Sequence, residues 1–305
     1  MPTFSMPPVV SADWLAERLG TPGLVVLDAS WYLPPSGRNA RAEFEAGHLP
    51  GARYFDLDAA SDPASPLPHM LPPDAAFGSY VGGLGVGDDD AVVVYDGSGT
   101  NLSAARAWWM FRAFGHAAVA VLEGGAGQWR AAGRPMESGV PAVAPARFTA
   151  RLDRTVVRTA ADVEAALARG TAQVVDVRAA GRFEGREPEP RPGLPSGHMA
   201  GARNLPYTDF VGPEGLLLPV EAVRERLRRA GLRPDQPIIA TCGSGTTACN
   251  LLLALERIGA TPGALYDGSW TEWAGSGRPI STKAARSHST CSTATAISWV
   301  RYGPT

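Results

Sequence analysis

Short apolar runs alternate with segments that have helical features along most of the chain. In the first half, residues 24–29, 91–95 and 119–122 have the length and the β-branched content of buried strands. Residues 11–19, behind a capping Ser11, and residues 102–114 are predicted as helices. Strands that alternate with helices predict an α/β fold with a parallel, doubly wound sheet flanked by helices.

The same pattern starts again in the second half of the chain. A helix is predicted at 159–168 and a strand at 173–177, and the heptapeptide Gly-His-x-x-Gly-Ala-Arg of residues 47–53 returns at 197–203. The tetrapeptide that begins at Asp96 returns with Cys242 in its first place. These sequence features occur in the same order in both halves and are separated by a nearly constant number of residues, which predicts an internal duplication.

The duplication divides the chain into two predicted domains, residues 1–145 and 150–280. Residues 134–153 between them carry several prolines without periodicity, which predicts a linker. The Ser/Thr/Ala-rich residues 281–305 lack periodicity and are predicted to form a disordered tail. His48 and His198 stand in both copies of the heptapeptide, so we expect them to hold turns rather than to catalyse.

Composition excludes several classes of function. A net charge of −2 gives no reason to expect a nucleic acid or an anionic membrane as a partner. Three cysteines in 305 residues are no disulfide framework, and the first residues lack a signal sequence, so we expect a protein of the reducing cytoplasm. No His/Cys cluster has the spacing of metal ligands, and neither a metal nor an organic cofactor is predicted.

The candidate chemistry lies at residues 237–254. A short apolar run is followed by a loop that begins with Cys242 and holds two glycines, and then by an apolar helix. A strand, a glycine-containing loop and a helix start form a cradle of backbone N–H groups that favours an anion, here a thiolate. Lowering a thiol pKa by roughly two units takes about 2.7 kcal/mol, which such a cradle can supply. The alternative is a buried cysteine beside a tight turn.

Phosphatase chemistry is disfavoured by the same loop. Cysteine phosphatases need an arginine that clamps the phosphoryl oxygens, and the position where it would stand is Ala248. The loop contains no cation at all, so a compact dianion gains little from it.

The stretch Cys-Gly-Ser-Gly-x-Thr-Ala resembles the active loop of the 3-mercaptopyruvate sulfurtransferases, within the two-domain rhodanese family. The resemblance spans residues 10–279 and implies tandem rhodanese-like domains. It also implies that Cys242, in the second domain, accepts sulfur as a persulfide and that this domain is catalytic. The first domain, which has Asp96 in the place of the cysteine, is expected to be catalytically silent. Thr246 stands where the family usually has Val and adds a hydroxyl. The backbone N–H groups that would hold the sulfur belong to Gly243, Ser244, Gly245, Thr246 and Thr247.

The loop after residue 177 resembles the substrate loop of the same family. The resemblance implies that Arg182 and Arg191 bind the carboxylate and keto oxygen of the donor, and a guanidinium fork suits that pair of acceptors. Arg186 falls outside the matched pair and is expected in solvent or paired with Glu187 or Glu189. From the residues alone, a solvated charged loop is an equal alternative.

The first domain carries a further part of the resemblance. Residues at the positions of Asp58 and His69 reach the loop serine, here Ser244, in an arrangement that serves proton transfer. The alternative is that His69 closes a proline-rich loop. Arg106 resembles a family arginine that faces the cleft, and it is either a substrate contact or part of an ion pair.

Two cysteines remain outside the predicted chemistry. Cys249, two helical turns after Cys242, is predicted as a small core residue rather than a resolving thiol, and Cys291 lies in the tail. Packing in the cores or at the domain interface is predicted for six tryptophans: Trp31, Trp108, Trp109, Trp129, Trp270 and Trp273.

The sequence therefore predicts an enzyme that moves sulfur from 3-mercaptopyruvate through Cys242 to a second thiol or cyanide and releases pyruvate. Small thiols or reduced thioredoxin are the expected acceptors, and a monomer is expected. A thiosulfate:cyanide sulfurtransferase is the alternative enzyme. Its donor is a compact dianion that would favour cations inside the loop. A non-catalytic persulfide carrier is the alternative outside enzymes, although a carrier needs no arginine-bearing substrate loop.

Overall fold

The computed structural model describes residues 6–212 and 215–282, which form two α/β domains of the same topology. In the first domain, five parallel strands pair in the order β1-β5-β4-β2-β3. The strands are Val9–Val10 (β1), Leu24–Asp28 (β2), Arg53–Tyr54 (β3), Ala91–Tyr95 (β4) and Val119–Leu122 (β5). The helices are Ala12–Ala16 (α1), Ala40–Ala46 (α2), Asp74–Gly83 (α3), Leu102–Ala113 (α4) and Gly125–Ala131 (α5).

The second domain repeats this order with its own five parallel strands, β6-β11-β10-β7-β9. A short antiparallel pair, β8 with β12, lies beside the sheet. The strands are Val157–Arg158 (β6), Gln173–Asp176 (β7), His198–Met199 (β8), Arg203–Asn204 (β9), Ile238–Thr241 (β10), Ala264–Tyr266 (β11) and Ile280–Ser281 (β12). The helices are Ala160–Arg169 (α6), Ala180–Phe183 (α7), Val220–Arg229 (α8), Cys249–Arg257 (α9) and Ser269–Gly275 (α10).

The central strands are mainly apolar because helices cover both faces of each sheet, and the acidic residues of β2 and β7 stand at the ends of those strands. Along β4, Val92 and Val94 point into the core that continues between the domains, whereas Val93 and Tyr95 point to the outer layer. This alternation is the ordinary two-residue period of a strand. It explains why residues 91–95 carry no polar position in the sequence.

The two copies of the heptapeptide build the same local structure. His48 bonds through Nδ1 to the carbonyl oxygen of Phe44 at 2.8 Å and stacks on the Phe44 ring. His198 does the same with Phe183, also at 2.8 Å. Both imidazoles are buried, so the prediction of a structural role for the two histidines is confirmed.

The predicted linker packs against the first domain. The N–H of Ala146 donates to the carbonyl of Gly82 at 2.9 Å, and the N–H of Asp153 donates to that of Ala113 at 2.7 Å. Phe148 is buried between them against the aromatic core. Residues 134–153 therefore extend the first domain beyond residue 145 rather than forming a free tether.

Helices α4 and α9 pack against each other at the domain boundary. Their apolar faces belong to one continuous core, so the two domains share buried surface. At the edge of this contact, Arg112 of α4 pairs with Glu256 of α9 at 2.9 Å. Because α9 follows the Cys242 loop, this packing fixes the loop against the first domain.

The end of the described chain is ordered further than the sequence suggests. Ser281, which was assigned to the tail, pairs with His198 as part of β12. Cys291 and the rest of the predicted tail lie outside the described residues. Among the helices of residues 6–212 and 215–282, none is long and apolar enough to cross a membrane.

Candidate active site

The loop from Cys242 to Ala248 connects β10 with α9 at the carboxyl edge of the second sheet. Its carbonyl groups face the start of α10: the oxygen of Cys242 accepts from the N–H of Trp270 at 2.9 Å. The oxygen of Gly243 accepts from both the N–H and the hydroxyl of Thr271, at 3.0 and 2.7 Å. These bonds tie the carbonyl side of the loop to the protein.

The N–H side of the loop is left open. Within residues 6–212 and 215–282, the backbone N–H groups of residues 243–247 donate to no other residue. Gly245 has a φ of +76°, and a Cβ there would lie 2.8 Å from the carbonyl oxygen of Asp267. Only glycine fits that conformation and that space. The geometry agrees with the predicted cradle, and Cys242 stands at its mouth.

The first domain shows what such a cradle binds. Asp96 occupies the place of Cys242, and its carboxylate fills its own loop. Oδ1 accepts from the N–H of Ser98 at 2.8 Å and from its hydroxyl at 2.6 Å. Oδ2 accepts from the N–H groups of Ser103 and Ala104, at 3.0 and 2.9 Å, at the start of α4. A carboxylate built into the loop of the first domain supports the assignment of an anion site in the matching loop of the second.

A cavity of about 310 Å³ opens over Cys242 between the two domains. The second domain supplies mainly basic and small residues, and the first domain supplies aromatic and apolar residues together with two serines and an arginine. From the second domain the lining residues are Arg178, Arg182, Pro190, Arg191, Cys242, Gly243, Ser244, Thr246 and Thr247. From the first domain they are Trp31, Tyr32, Leu33, Ser36, Arg38, Ser98 and Leu102.

The two predicted arginines, Arg182 and Arg191, both line this cavity. Burial lowers the pKa of the Arg191 guanidinium, and the nearby charges of Cys242 and Glu189 oppose the shift. Arg191 stands so close to the loop that a Cβ on Gly243 would lie 3.6 Å from its Nη1. The cation that the loop itself lacks is therefore supplied from the neighbouring segment.

Arg178 is the third arginine that lines the cavity from the second domain, and no role was predicted for it from the sequence. Its buried guanidinium pairs with Asp176 at 2.6 Å and with Glu189 at 2.6 Å, and it lies over the Trp270 ring. Glu189 in turn reaches Arg182 at 3.4 Å. Arg178 thus anchors the arginine-bearing loop. Arg186 is exposed to solvent, as one of the predicted alternatives has it, but its ion-pair partner is Glu184 rather than Glu187 or Glu189.

His69 reaches the loop from the first domain. Its Nδ1 lies 3.2 Å from Ser244 Oγ and 3.0 Å from Thr246 Oγ1, and its Nε2 lies 3.2 Å from Asp58 Oδ1. The bond from His69 lowers the pKa of the Asp58 carboxyl, with a smaller contribution from Trp31. The structure thus brings together the three residues that the resemblance implied, and adds Thr246 to them.

Trp31 packs against the core at the domain interface, as predicted, and it also lines the cavity. Its Nε1 donates to Asp58 Oδ2 at 3.0 Å, and its ring meets the edge of the His69 imidazole at a centroid distance of 4.6 Å. Nothing in the local sequence distinguishes Trp31 from the other tryptophans. What distinguishes Trp31 is its hydrogen bond to Asp58, and this contact exists only once the chain has folded.

The assignment of Arg106 to substrate binding is corrected. Its side chain is fully buried in α4 and does not line the cavity. Nη1 pairs with Asp267 at 2.7 Å, and Nη2 donates to the carbonyl oxygen of His69. Of the two alternatives, the ion pair is the one that the structure contains. Gly245 likewise lies behind the cavity wall, where it serves the loop backbone.

Cys249 is fully buried on the first turn of α9, and its Sγ donates to the carbonyl of Gly245 at 3.3 Å. Burial raises the pKa of this thiol well above its usual value. The prediction of a core residue is confirmed. Both cysteines that the structure describes, Cys242 and Cys249, are free thiols.

Two such domains around one cysteine loop define the rhodanese class, and the comparison with known families agrees. The rhodanese-like domain family matches residues 11–132 and 159–276. The chain belongs to the rhodanese family.

Relatives of known name cover nearly the whole chain. The chain is 48% identical to human 3-mercaptopyruvate sulfurtransferase over 89% of its own length and 93% of the relative's. It is 45% identical to the thiosulfate sulfurtransferase of Cricetulus griseus, over 87% and 91%. Among solved structures, it resembles SseA of Escherichia coli, described as a 3-mercaptopyruvate sulfotransferase, with 39% identity and a TM-score of 0.79 over 87% and 99% of the two chains.

Proposed function

We propose that this protein transfers sulfur from 3-mercaptopyruvate to a thiol acceptor and releases pyruvate. The observation that carries the proposal is that Arg182 and Arg191 line the same cavity as Cys242. A 2-keto acid presents a carboxylate and a keto oxygen side by side, and guanidinium groups match both. The human relative that carries the name 3-mercaptopyruvate sulfurtransferase supports this donor.

The first half-reaction forms a persulfide on Cys242. The thiolate sulfur of Cys242 bonds to the donor sulfur while the C–S bond of the donor breaks. The electron pair of that bond passes to pyruvate as its enolate. The open N–H groups of residues 243–247 are placed to stabilise negative charge on the outer sulfur of the persulfide.

Protonation of the enolate completes this half-reaction. The donor enters with a thiol proton and leaves as pyruvate with one more hydrogen on its methylene carbon, so this single proton balances the step. Ser244 lines the cavity and can pass its hydroxyl proton to carbon while it takes up the thiol proton. His69, with Asp58 at its Nε2, lies beside this serine from the first domain, and its Nδ1 is 3.2 Å from Ser244 Oγ.

In the second half-reaction an acceptor thiolate attacks the outer persulfide sulfur and restores the Cys242 thiolate. The mouth of the cavity lies between the domains. Among the described residues that line it from the first domain, Arg38 is neutralised by an ion pair with Glu43 at 2.6 Å. Small thiols or reduced thioredoxin remain our proposed acceptors, with cyanide as an artificial one. A reducing cytoplasm and a monomeric state are proposed with them, and the two free thiols are consistent with that compartment.

Thiosulfate is the second candidate donor, because relatives named thiosulfate sulfurtransferase share 44–45% identity with the chain. Against it, the loop from Gly243 to Thr247 has no charged side chain of its own, and the guanidinium groups beside it, those of Arg182 and Arg191, suit the carboxylate and keto oxygen of a 2-keto acid. A persulfide carrier without catalytic activity has no use for two arginines in the cavity over its cysteine.

The proposal is tested by incubating the protein with 3-mercaptopyruvate, with and without a dithiol. We expect stoichiometric pyruvate without the dithiol, a gain of one sulfur atom on the peptide that contains Cys242, and turnover once the dithiol is added. Pyruvate that appears without sulfur on Cys242 would place the chemistry elsewhere, and no pyruvate at all would remove 3-mercaptopyruvate as the donor.

A further inference from the structure

Two hydroxyl groups of the active loop compete for one nitrogen of His69. Thr246 Oγ1 lies 3.0 Å from Nδ1, and Ser244 Oγ lies 3.2 Å from the same atom. Within the described part of the chain, neither hydroxyl bonds any other group. A serine–histidine contact needs only one hydroxyl, and Thr246 adds a second one at the same nitrogen.

The other side of the imidazole decides what Nδ1 can do. Nε2 faces Asp58 Oδ1 at 3.2 Å, and the pKa of that carboxyl is lowered, so it is ionised near neutral pH and can only accept. In the neutral ring Nε2 therefore carries the proton, and Nδ1 offers a single lone pair. One lone pair takes one well-aligned hydrogen bond, so one hydroxyl donates and the other is released.

The geometry favours Thr246 as the donor. It is the nearer of the two, and its β-branched side chain is restricted at χ1, so the hydroxyl is held in place at little entropic cost. Ser244 is unbranched and rotates more freely. A serine whose proton points at His69 cannot direct that proton towards a donor molecule over Cys242.

We propose that Thr246 is a positioning residue for proton transfer: it occupies Nδ1 of His69 and leaves the Ser244 hydroxyl free to donate into the cavity. The inference rests on the proposed function, because the proton concerned is the one that the pyruvate enolate receives. The proton balance of the half-reaction is unchanged, because Ser244 gives its proton to the methylene carbon and takes the thiol proton of the donor. Thr246 and His69 keep theirs throughout.

The test uses two substitutions at Thr246 that keep the backbone N–H and the loop. Thr246→Val preserves the branched shape and removes the hydroxyl, whereas Thr246→Ser preserves the hydroxyl. In single-turnover reactions with 3-mercaptopyruvate, we expect Thr246→Val to slow pyruvate release roughly three- to tenfold, the range for one lost hydrogen bond. Thr246→Ser should retain most of the rate. Attack of an acceptor thiol on the preformed persulfide should be unchanged in both.

A double substitution separates positioning from a merely structural role. If Thr246 acts through Ser244, then Thr246→Val has no further effect on pyruvate release in a Ser244→Ala background. An equal slowing in both backgrounds, or an unchanged rate in the Thr246→Val single variant, overturns the inference. A melting temperature close to that of the unsubstituted protein shows that the loop is intact. If the unsubstituted protein releases no pyruvate, the proposed function fails instead.

Discussion

Arg106 and Asp267 form an ion pair across the domain boundary, with 2.7 Å between Nη1 and Oδ1 and with both side chains buried. The same two residues hold the segment that carries His69. Arg106 Nη2 donates to the carbonyl of His69, and Asp267 Oδ2 accepts from the N–H of Leu71 at 2.9 Å. The pair therefore links the fold of the second domain to the position of His69 from the first.

Removal of Arg106 should destabilise the protein and impair the site together. Arg106→Ala leaves Asp267 buried without its countercharge, which costs about 3–5 kcal/mol of unfolding free energy. Arg112→Ala is the matched control, because the Arg112–Glu256 pair also spans the domains but is more than one third exposed. Such a pair contributes about 0–1 kcal/mol. Urea unfolding of both variants checks this, and equal losses would contradict the central role of the buried pair.

Asp96 should matter for stability and not for turnover. Its carboxylate bonds the N–H groups of Ser98, Ser103 and Ala104, so Asp96→Ala leaves these donors without their acceptor. We expect a loss of about 1–3 kcal/mol in unfolding free energy. Pyruvate release, measured where the variant is fully folded, should stay within a small factor of normal. A collapse of activity in a folded variant would show that the first domain is not silent.

Cys242→Ser should abolish sulfur transfer with little effect on stability, the opposite of the result expected for Asp96→Ala. A serine hydroxyl in this loop accepts no sulfur, so sulfur transfer should disappear while the melting temperature changes little. Labelling with an alkylating agent provides the control, since Cys249 is fully buried with a raised pKa and should not react. Residual transfer in Cys242→Ser, with label on another cysteine, would move the nucleophile.

We expect Asp58 to make a pH-dependent contribution to the free energy of unfolding. Its pKa is lowered in the folded protein, chiefly by the bond from His69, so its contribution is present above the unfolded value of about 3.9. That contribution is lost as the pH falls through the lower folded value. The difference in urea midpoint between the unsubstituted protein and Asp58→Asn should therefore shrink as the pH falls below about pH 4. A difference that grows in acid would contradict this contact.

The sequence predicts the central elements well and the site only in part. Runs such as residues 91–95 are buried on both faces and leave an unmistakable pattern, whereas two-residue edge strands such as Val9–Val10 and Arg53–Tyr54 leave none. Cys242 is found because strand, glycine and helix are contiguous. The roles of Trp31 and Arg178 depend on contacts between distant segments, with Asp58 in one case and Glu189 in the other.

Arg106 shows the same limit from the other side. Its place in α4, a helix that is buried on nearly all sides, allows either a substrate contact or an ion pair. Local sequence contains no information on which face of the helix meets the second domain. The choice is made by Asp267, which follows β11 in the second domain. Residues that act through long-range contacts are therefore assigned by the fold or by resemblance, and not by periodicity.

The central claim is that two arginines make this a site for a 2-keto acid. Arg182→Ala and Arg191→Ala should each lose about 2–5 kcal/mol of transition-state binding for 3-mercaptopyruvate. Arg186→Ala is the control within the same loop, since Arg186 is exposed and paired with Glu184, and it should change neither donor.

The decisive measurement is kcat/KM for 3-mercaptopyruvate and for thiosulfate across the unsubstituted protein and these three variants. We predict that the unsubstituted protein prefers 3-mercaptopyruvate, and that Arg182→Ala and Arg191→Ala lose far more activity on it than on thiosulfate, which offers no carboxylate to the guanidinium groups. An unsubstituted protein that prefers thiosulfate, or arginine variants that weaken both donors equally, would contradict the account.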